Sequence, residues 1–311
     1  MDIAQGRRGA VLVRKRRRHT PSEFFGNIVV YGFLLFLFVI TFFPFWHIFV
    51  LSLNDAADPT YGQFMLWPTS FSLESYKTVL QDAEILNSLG VTLSRTLIGV
   101  PITLACVSMV AYALSKRELV GWRGINLFFV FTMYFSGGLI PTYMVIRSLN
   151  LIDNFWVFIF PGMINIFWVV LVRTYMEGLP KEMEEAAQME GANDIQIFLR
   201  IILPVCVPVL ATVTLFSAIS HWNAWYDSYI YTYEPALKTL PAVLVKILNQ
   251  FQTNDMLSAA QQLANEQRKM PVSSESIRMA VTMVATLPII IVYPLLQKYF
   301  LKGMLIGAVK S

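Results

Sequence analysis

The sequence predicts an all-α protein with six transmembrane helices, and three observations carry that prediction. Charged residues make up 14% of its 311 residues and hydrophobic ones 56%, whereas a soluble domain of this size carries about 25% charged residues. Six segments are apolar over roughly the 20 residues a helix needs to cross a hydrocarbon core. The lysines and arginines fall unevenly between the connecting segments, which sets an orientation.

The spans lie near Ile28–Leu51, Ser88–Leu114, Ile125–Ile146, Phe155–Leu171, Pro204–Ser220 and Ser276–Leu296. Residues 1–27 form a basic arm, with Arg7 to Arg18 suited to fixing topology or meeting anionic membrane lipid. The first span is longer than a signal-peptide core and is read as an uncleaved anchor. Residues 28–87 hold that span and an extracellular loop. Residues 88–297 hold the transmembrane core with a charged loop at 177–204, and residues 298–311 form a tail. With the N-terminus cytoplasmic, sixteen Lys and Arg residues lie inside and six outside, so both termini are cytoplasmic. In the second long outer loop, Leu240–Phe251 has the pattern of an amphipathic surface helix, followed by a polar stretch at Ala259–Lys269.

Within the third span, Ser136, Gly137, Gly138 and Pro141 interrupt the apolar run. Pro141 removes a backbone hydrogen bond and predicts a kink; Pro288 and Pro294 predict the same in the sixth. Such kinks suit plain packing or a bundle that rocks between two states. Arg95 and Arg278 fall inside spans near the outer face, where each either snorkels to the interface or makes an ion pair that holds a gate.

Several function classes drop out. Mid-span Asp or Glu, which ion-coupled carriers use to bind their ion, is missing. The GxxxxGK phosphate loop of an ATP-hydrolysing chain is missing too. Cys106 and Cys206 sit singly in apolar runs and read as packing residues, so no metal site and no cofactor is expected. The formal charge of +4 follows membrane topology rather than a nucleic-acid surface.

The loop Glu177–Arg200 has six acidic residues against Lys181 and Arg200. Pro180 suits a first helical turn, and Met183, Ala186, Ala187 and Glu190 at i, i+3, i+4 and i+7 predict one narrow face, flanked by Glu184 and Glu185. Gly191 is placed to end that helix in a left-handed conformation, and Asn193 or Asp194 to cap the next. Ile195, Phe198, Leu199 and Ile202 predict an apolar stripe pinning the second helix under the bundle. Charge and spacing alone leave two readings open, a solvated connector or a docking peg.

The spacing Glu185-Ala186-Ala187, Gly191, Ile201, Leu203-Pro204 resembles the EAA loop of ABC importer permeases. "FSGGLIPTY", "HWNAW", "ATLPIIIVYP" and the C-terminal "QKYFLKGMLIGAVKS" are similar to the carbohydrate-uptake (maltose-type) family, in its YtcP/LplC-like branch. The resemblance implies a type I ABC importer permease fold in a bacterial membrane. It also implies a second, different permease, two ATPase subunits and an extracellular solute-binding protein as partners. The loop residues Glu184, Glu185, Ala186, Ala187, Gly191, Asp194, Ile201, Leu203 and Pro204 would then couple to the ATPase. Ser136, Tyr143, Trp222, Asn223 and Trp225 are the candidate substrate path, since aromatic rings stack on sugar faces; a lipid-interface belt is the alternative for the tryptophans. A sugar or oligosaccharide is the implied cargo. A non-sugar solute is the rival within the family, and an ion-coupled carrier the rival outside it.

Overall fold

The computed structural model describes residues 21–55, 58, 61–255 and 274–308. The basic run Arg7–Arg18 and the polar stretch Ala259–Lys269 lie outside the described residues. Among the described residues the elements are helical, with one isolated antiparallel bridge between Asn54 and Phe71. Contacts divide the chain into two units, residues 1–47 and 48–311.

Helix α1, Pro21–Ser52, begins on a proline, whose missing N–H costs nothing at that position. In the first unit its apolar side chains are exposed on all sides, Phe25, Tyr31, Phe36 and Ile40 among them, as a lipid-facing helix requires. In the second unit, Asp82 caps α3 (Ala83–Ser115) by accepting from the N–H groups of Glu84 and Ile85 at 2.8 and 3.3 Å. At 1.5 Å per residue, the 33 residues of α3 run about 50 Å, more than the roughly 30 Å of a hydrocarbon core. The short helix α2, Glu74–Gln81, precedes it.

Three expected spans are broken. The third is α4 (Trp122–Tyr134) and α5 (Leu139–Ser148), which meet at 115°. Pro141 does not make that break. It sits in the first turn of α5, where its N–H would be unpaired anyway, and the chain turns at Gly138, with φ +83°, which glycine tolerates. The fourth comprises 3-10 turns at Phe155–Phe158 and Phe160–Gly162 and then α6 (Ile166–Glu177), bent by 48°. Asn165 starts α6 afresh by accepting from Trp168 N–H at 3.3 Å. The fifth begins ten residues before Pro204. After α7 (Glu182–Met189) come α8 (Asp194–Ile197), a π turn at Phe198–Ile202 and α9 (Leu203–Val205). These meet α10 (Val207–Asn223) at 79°, with Pro208 in its first turn. By contrast, Pro288 and Pro294 lie within one helix.

Helices α11 (Tyr226–Tyr231) and α12 (Leu240–Asp255) precede α13 (Ser274–Ala308). Leu240, Ala242 and Val243 of α12 are buried. Leu240 and Val243 pack with Val79, Ile85, Ala280 and Val281, so this segment is a packed element of the fold. A second cluster joins Val107 of α3, Val169 and Val172 of α6, and Val213 of α10 to residues of the acidic loop.

Candidate functional site

The acidic loop folds as two short helices at a glycine bend. Glu182, Glu184 and Glu185 occupy the first turn of α7, where carboxylates offset the positive end of the helix dipole. Gly191 ends it at φ +84°. Ala192 N–H bonds to Ala187 O at 3.0 Å and Gly191 N–H to Gln188 O at 2.9 Å, the paired closure of a Schellman motif. Asn193 then caps α8 reciprocally: its side chain accepts from Gln196 N–H at 2.9 Å, and the Gln196 side chain accepts from Asn193 N–H at 3.0 Å.

The faces differ from the sequence expectation in two ways. On α7, Ala187 is 8% exposed and packs into the bundle, while Ala186 is exposed, so the alanines do not share an outer face. Glu184 also turns inward. It lies three residues before Ala187 on the same side of the helix and pairs with Lys116. Glu185, Ala186, Glu190 and Met189, which is 89% exposed, point away from the bundle. In the second helix Phe198 and Ile202 are buried as expected, but Ile195 and Leu199 are exposed and Ile197 is buried in their place. The π turn explains this, because i→i+5 bonding brings residues five apart onto one side. Ile201 and Leu203 pack against the same cluster, Pro204 lies in α9, and Asp194 is exposed in the first turn of α8.

Lys116, missed at the sequence level, caps the C-terminus of α3. Its ammonium lies 4.7 Å from the Tyr112 ring centroid, and that ring lies 5.1 Å from Phe198. Burial alone pushes the Lys116 ammonium toward neutrality, but the hydrogen bond and charge of Glu184 more than offset it and hold its pKa above the usual value. Nearby, Arg173 of α6 donates to Asn126 of α4 and lies 3.5 Å from the Glu177 carboxylate.

The N-terminal half of α3 carries a second ion pair. Arg95, 2% exposed, holds Asp227 through two contacts, at 2.5 and 3.1 Å. It also donates to Ala224 O at 3.2 Å and Phe158 O at 3.5 Å, with its guanidinium 4.8 Å from the Phe158 ring centroid. Arg95 is thus paired and buried rather than extended to the membrane interface. Arg278 pairs at 3.4 Å with Glu275, three residues earlier.

The candidate path residues separate. Trp222 is buried and its indole N–H donates to Ala285 O at 2.9 Å. It joins α10 to α13 and is withdrawn from the solute-facing set. Asn223 and Trp225 are exposed, and Trp225 stands edge-on to Tyr226 and Tyr229. The Tyr143 hydroxyl lies 3.0 Å from that of Tyr233, and its ring stacks on Tyr231. Ser136 sits at the α4–α5 break, accepting from Gly138 N–H at 3.3 Å. Beside Tyr233, Asp153 adopts φ +52° and accepts from the N–H groups of Tyr233 and Glu234. Among the described residues, no group of three or more His, Cys, Asp or Glu is placed to hold a metal ion.

No protein-family model matches the chain. It is 36% identical, over 92% of its own length and 98% of the relative's, to the polygalacturonan/rhamnogalacturonan transport system permease protein YtcP of Bacillus subtilis (strain 168). It is 38% identical to protein LplC of the same organism, over 88% of this chain and 90% of that one. Among solved structures, a chain of a bacterial ABC transporter involved in the import of the acidic polysaccharide alginate superposes with a TM-score of 0.81. Identity there is 32%, over 91% of this chain and 99% of that one. Agreement of this extent, in sequence and in backbone, assigns the chain to the carbohydrate-import family of ABC transporter permeases, transport subunits of the bacterial cell membrane.

Proposed function

We propose that this chain is the coupling half of a sugar importer. It spans the membrane six times with both ends in the cytoplasm, pairs with a second, different permease and draws its energy from two ATPase subunits. The observation that carries this reading is the outward face of α7: Glu185, Ala186, Met189 and Glu190 are exposed on a helix whose far end is closed at Gly191. A small-residue face beside carboxylates fits a cleft lined with basic groups. Ile201 and Leu203 seat the loop against the bundle cluster, with Pro204 in the short helix α9 that leads into α10, so that a push on α7 reaches the bundle. On this reading an extracellular binding protein delivers the solute to the opposite side. There, Trp225 and Asn223 on one side and Tyr143 on the other offer stacking and hydrogen-bonding surfaces, with Ser136 at the hinge of the broken third span.

The cargo we propose is an oligosaccharide, with uronate-bearing chains first among those to test, since one similar protein is described by polygalacturonan/rhamnogalacturonan transport and another by import of the acidic polysaccharide alginate. Glu185→Gln and Gly191→Val test the coupling role. Val at φ +84° meets the left-handed backbone penalty, about 1–2 kcal/mol. Both variants should reach the membrane but lose uptake of oligogalacturonate in proteoliposomes of the assembled importer, while ATP hydrolysis no longer responds to the loaded binding protein. Wild-type uptake by both would overturn the assignment.

A further inference from the structure

Helix α7 is eight residues long, about 12 Å, too short to be stable by itself. Its one buried residue is Ala187, whose single methyl contributes little burial energy. Ala187 and the closure at Gly191 anchor the C-terminal end of α7, and its first turn needs an anchor of its own to keep the helix from rolling about its axis. Rolling by one residue's worth, about 100°, would exchange Ala186 for Ala187 on the outer face. Something else fixes the roll, and Glu184 is the side chain placed to do it. It shares the inner side with Ala187, three residues on, and its partner Lys116 is the C-cap of the long helix α3.

We propose that Lys116 is a positioning residue of the acidic loop: its pair with Glu184 sets the rotation of α7 and thereby which side chains α7 presents outward. Three features of the Lys116 environment support this. The ammonium sits over the Tyr112 ring at 4.7 Å, which directs it. Tyr112 packs on Phe198 of the loop's second helix, so one turn of α3 touches both halves of the loop. Both partners are mostly shielded, with 29% and 27% of their side chains exposed, so the pair is less screened than a surface one. The same helix carries Arg95, 21 residues away and about 32 Å along its axis. A displacement of α7 is therefore passed to a rod that holds Asp227 through Arg95. That last consequence rests on the proposed docking of α7 on an ATPase; the rotational role does not.

The test uses the purified full chain in mild detergent, with one cysteine introduced at Ala186 or at Ala187. The rate of labelling by a hydrophilic maleimide is measured, and labelling of the native Cys106 and Cys206 is subtracted. With the pair intact, position 186 reacts faster than position 187. Lys116→Met should reduce the ratio of the two rates by about fivefold, and the exchange Lys116→Glu with Glu184→Lys should restore it, which loss of general stability would not do. Should Lys116→Met aggregate, the size-conserving Glu184→Gln reports the same ratio. An unchanged ratio in the Met or Gln variant overturns the inference. In the assembled importer, Lys116→Met should keep ATP hydrolysis but move several-fold less oligogalacturonate per ATP. If the wild-type chain recruits no ATPase, the docking reading fails while the labelling ratio still decides the role of Lys116.

Discussion

Asp227→Asn leaves Arg95 charged and buried without its carboxylate. The Arg95 side chain is 3% exposed, and that of Asp227 is 25% exposed. Removing one partner of a fully buried pair costs about 3–5 kcal/mol. Arg95 keeps its contacts to Ala224 O and Phe158 O, which lowers the expected cost to about 2–3 kcal/mol. The reverse change, Arg95→Met, strands a carboxylate that water already reaches, and it should cost about 1–2 kcal/mol. Arg95→Met with Asp227→Leu removes both charges and should lie close to wild type. The assay is thermal unfolding of the purified chain in detergent. At about 2 °C per kcal/mol for a chain of this size, Asp227→Asn should lower Tm by about 4–6 °C and Arg95→Met by about half as much. Equal losses in the two single variants, or a double variant as unstable as Asp227→Asn, would refute the argument from burial.

Gly99 lies under the His221 ring, and a Cβ there would stand 2.6 Å from His221 Cε1. Gly99→Val should therefore push α3 from α10 and cost about 1–3 kcal/mol, read as a lowered Tm. The two tryptophans at the end of α10 should behave oppositely. Trp222→Phe, which loses the bond to Ala285 O, should lower stability by about 1 kcal/mol and leave the preference among sugars unchanged. Trp225→Ala should keep Tm and reduce uptake, and unchanged uptake would remove Trp225 from the substrate path.

How much of this was legible in the sequence depends on whether the cause was local. The continuous apolar length of α1 and α3 is a local property, and so are the Gly191 bend and the Asn193 cap, which need only residue types in a row. The breaks were less visible. Pro141 stands out in the sequence, yet the turn is made by Gly138, because a proline in a first helical turn disturbs nothing. Phe198 and Ile202 are buried as a 3.6-residue period expects, but beside the π turn at Phe198–Ile202 the period misses that Ile195 and Leu199 are exposed and Ile197 is buried. On α7 two adjacent alanines fit either face equally well, and the contact of Glu184 that marks its inner side is with Lys116, 68 residues upstream. Arg95 likewise has no acid in its own span; Asp227 is 132 residues away and lies just past the fifth span. Pairings at such separations are tertiary facts.

The most direct measurement is to purify the tagged chain from its native membrane in mild detergent and identify the chains that accompany it by mass spectrometry. The account predicts a second, different permease and an ATPase subunit in stoichiometric amounts. Recovery of the chain alone, or only with copies of itself, would contradict the claim that α7 is a coupling helix.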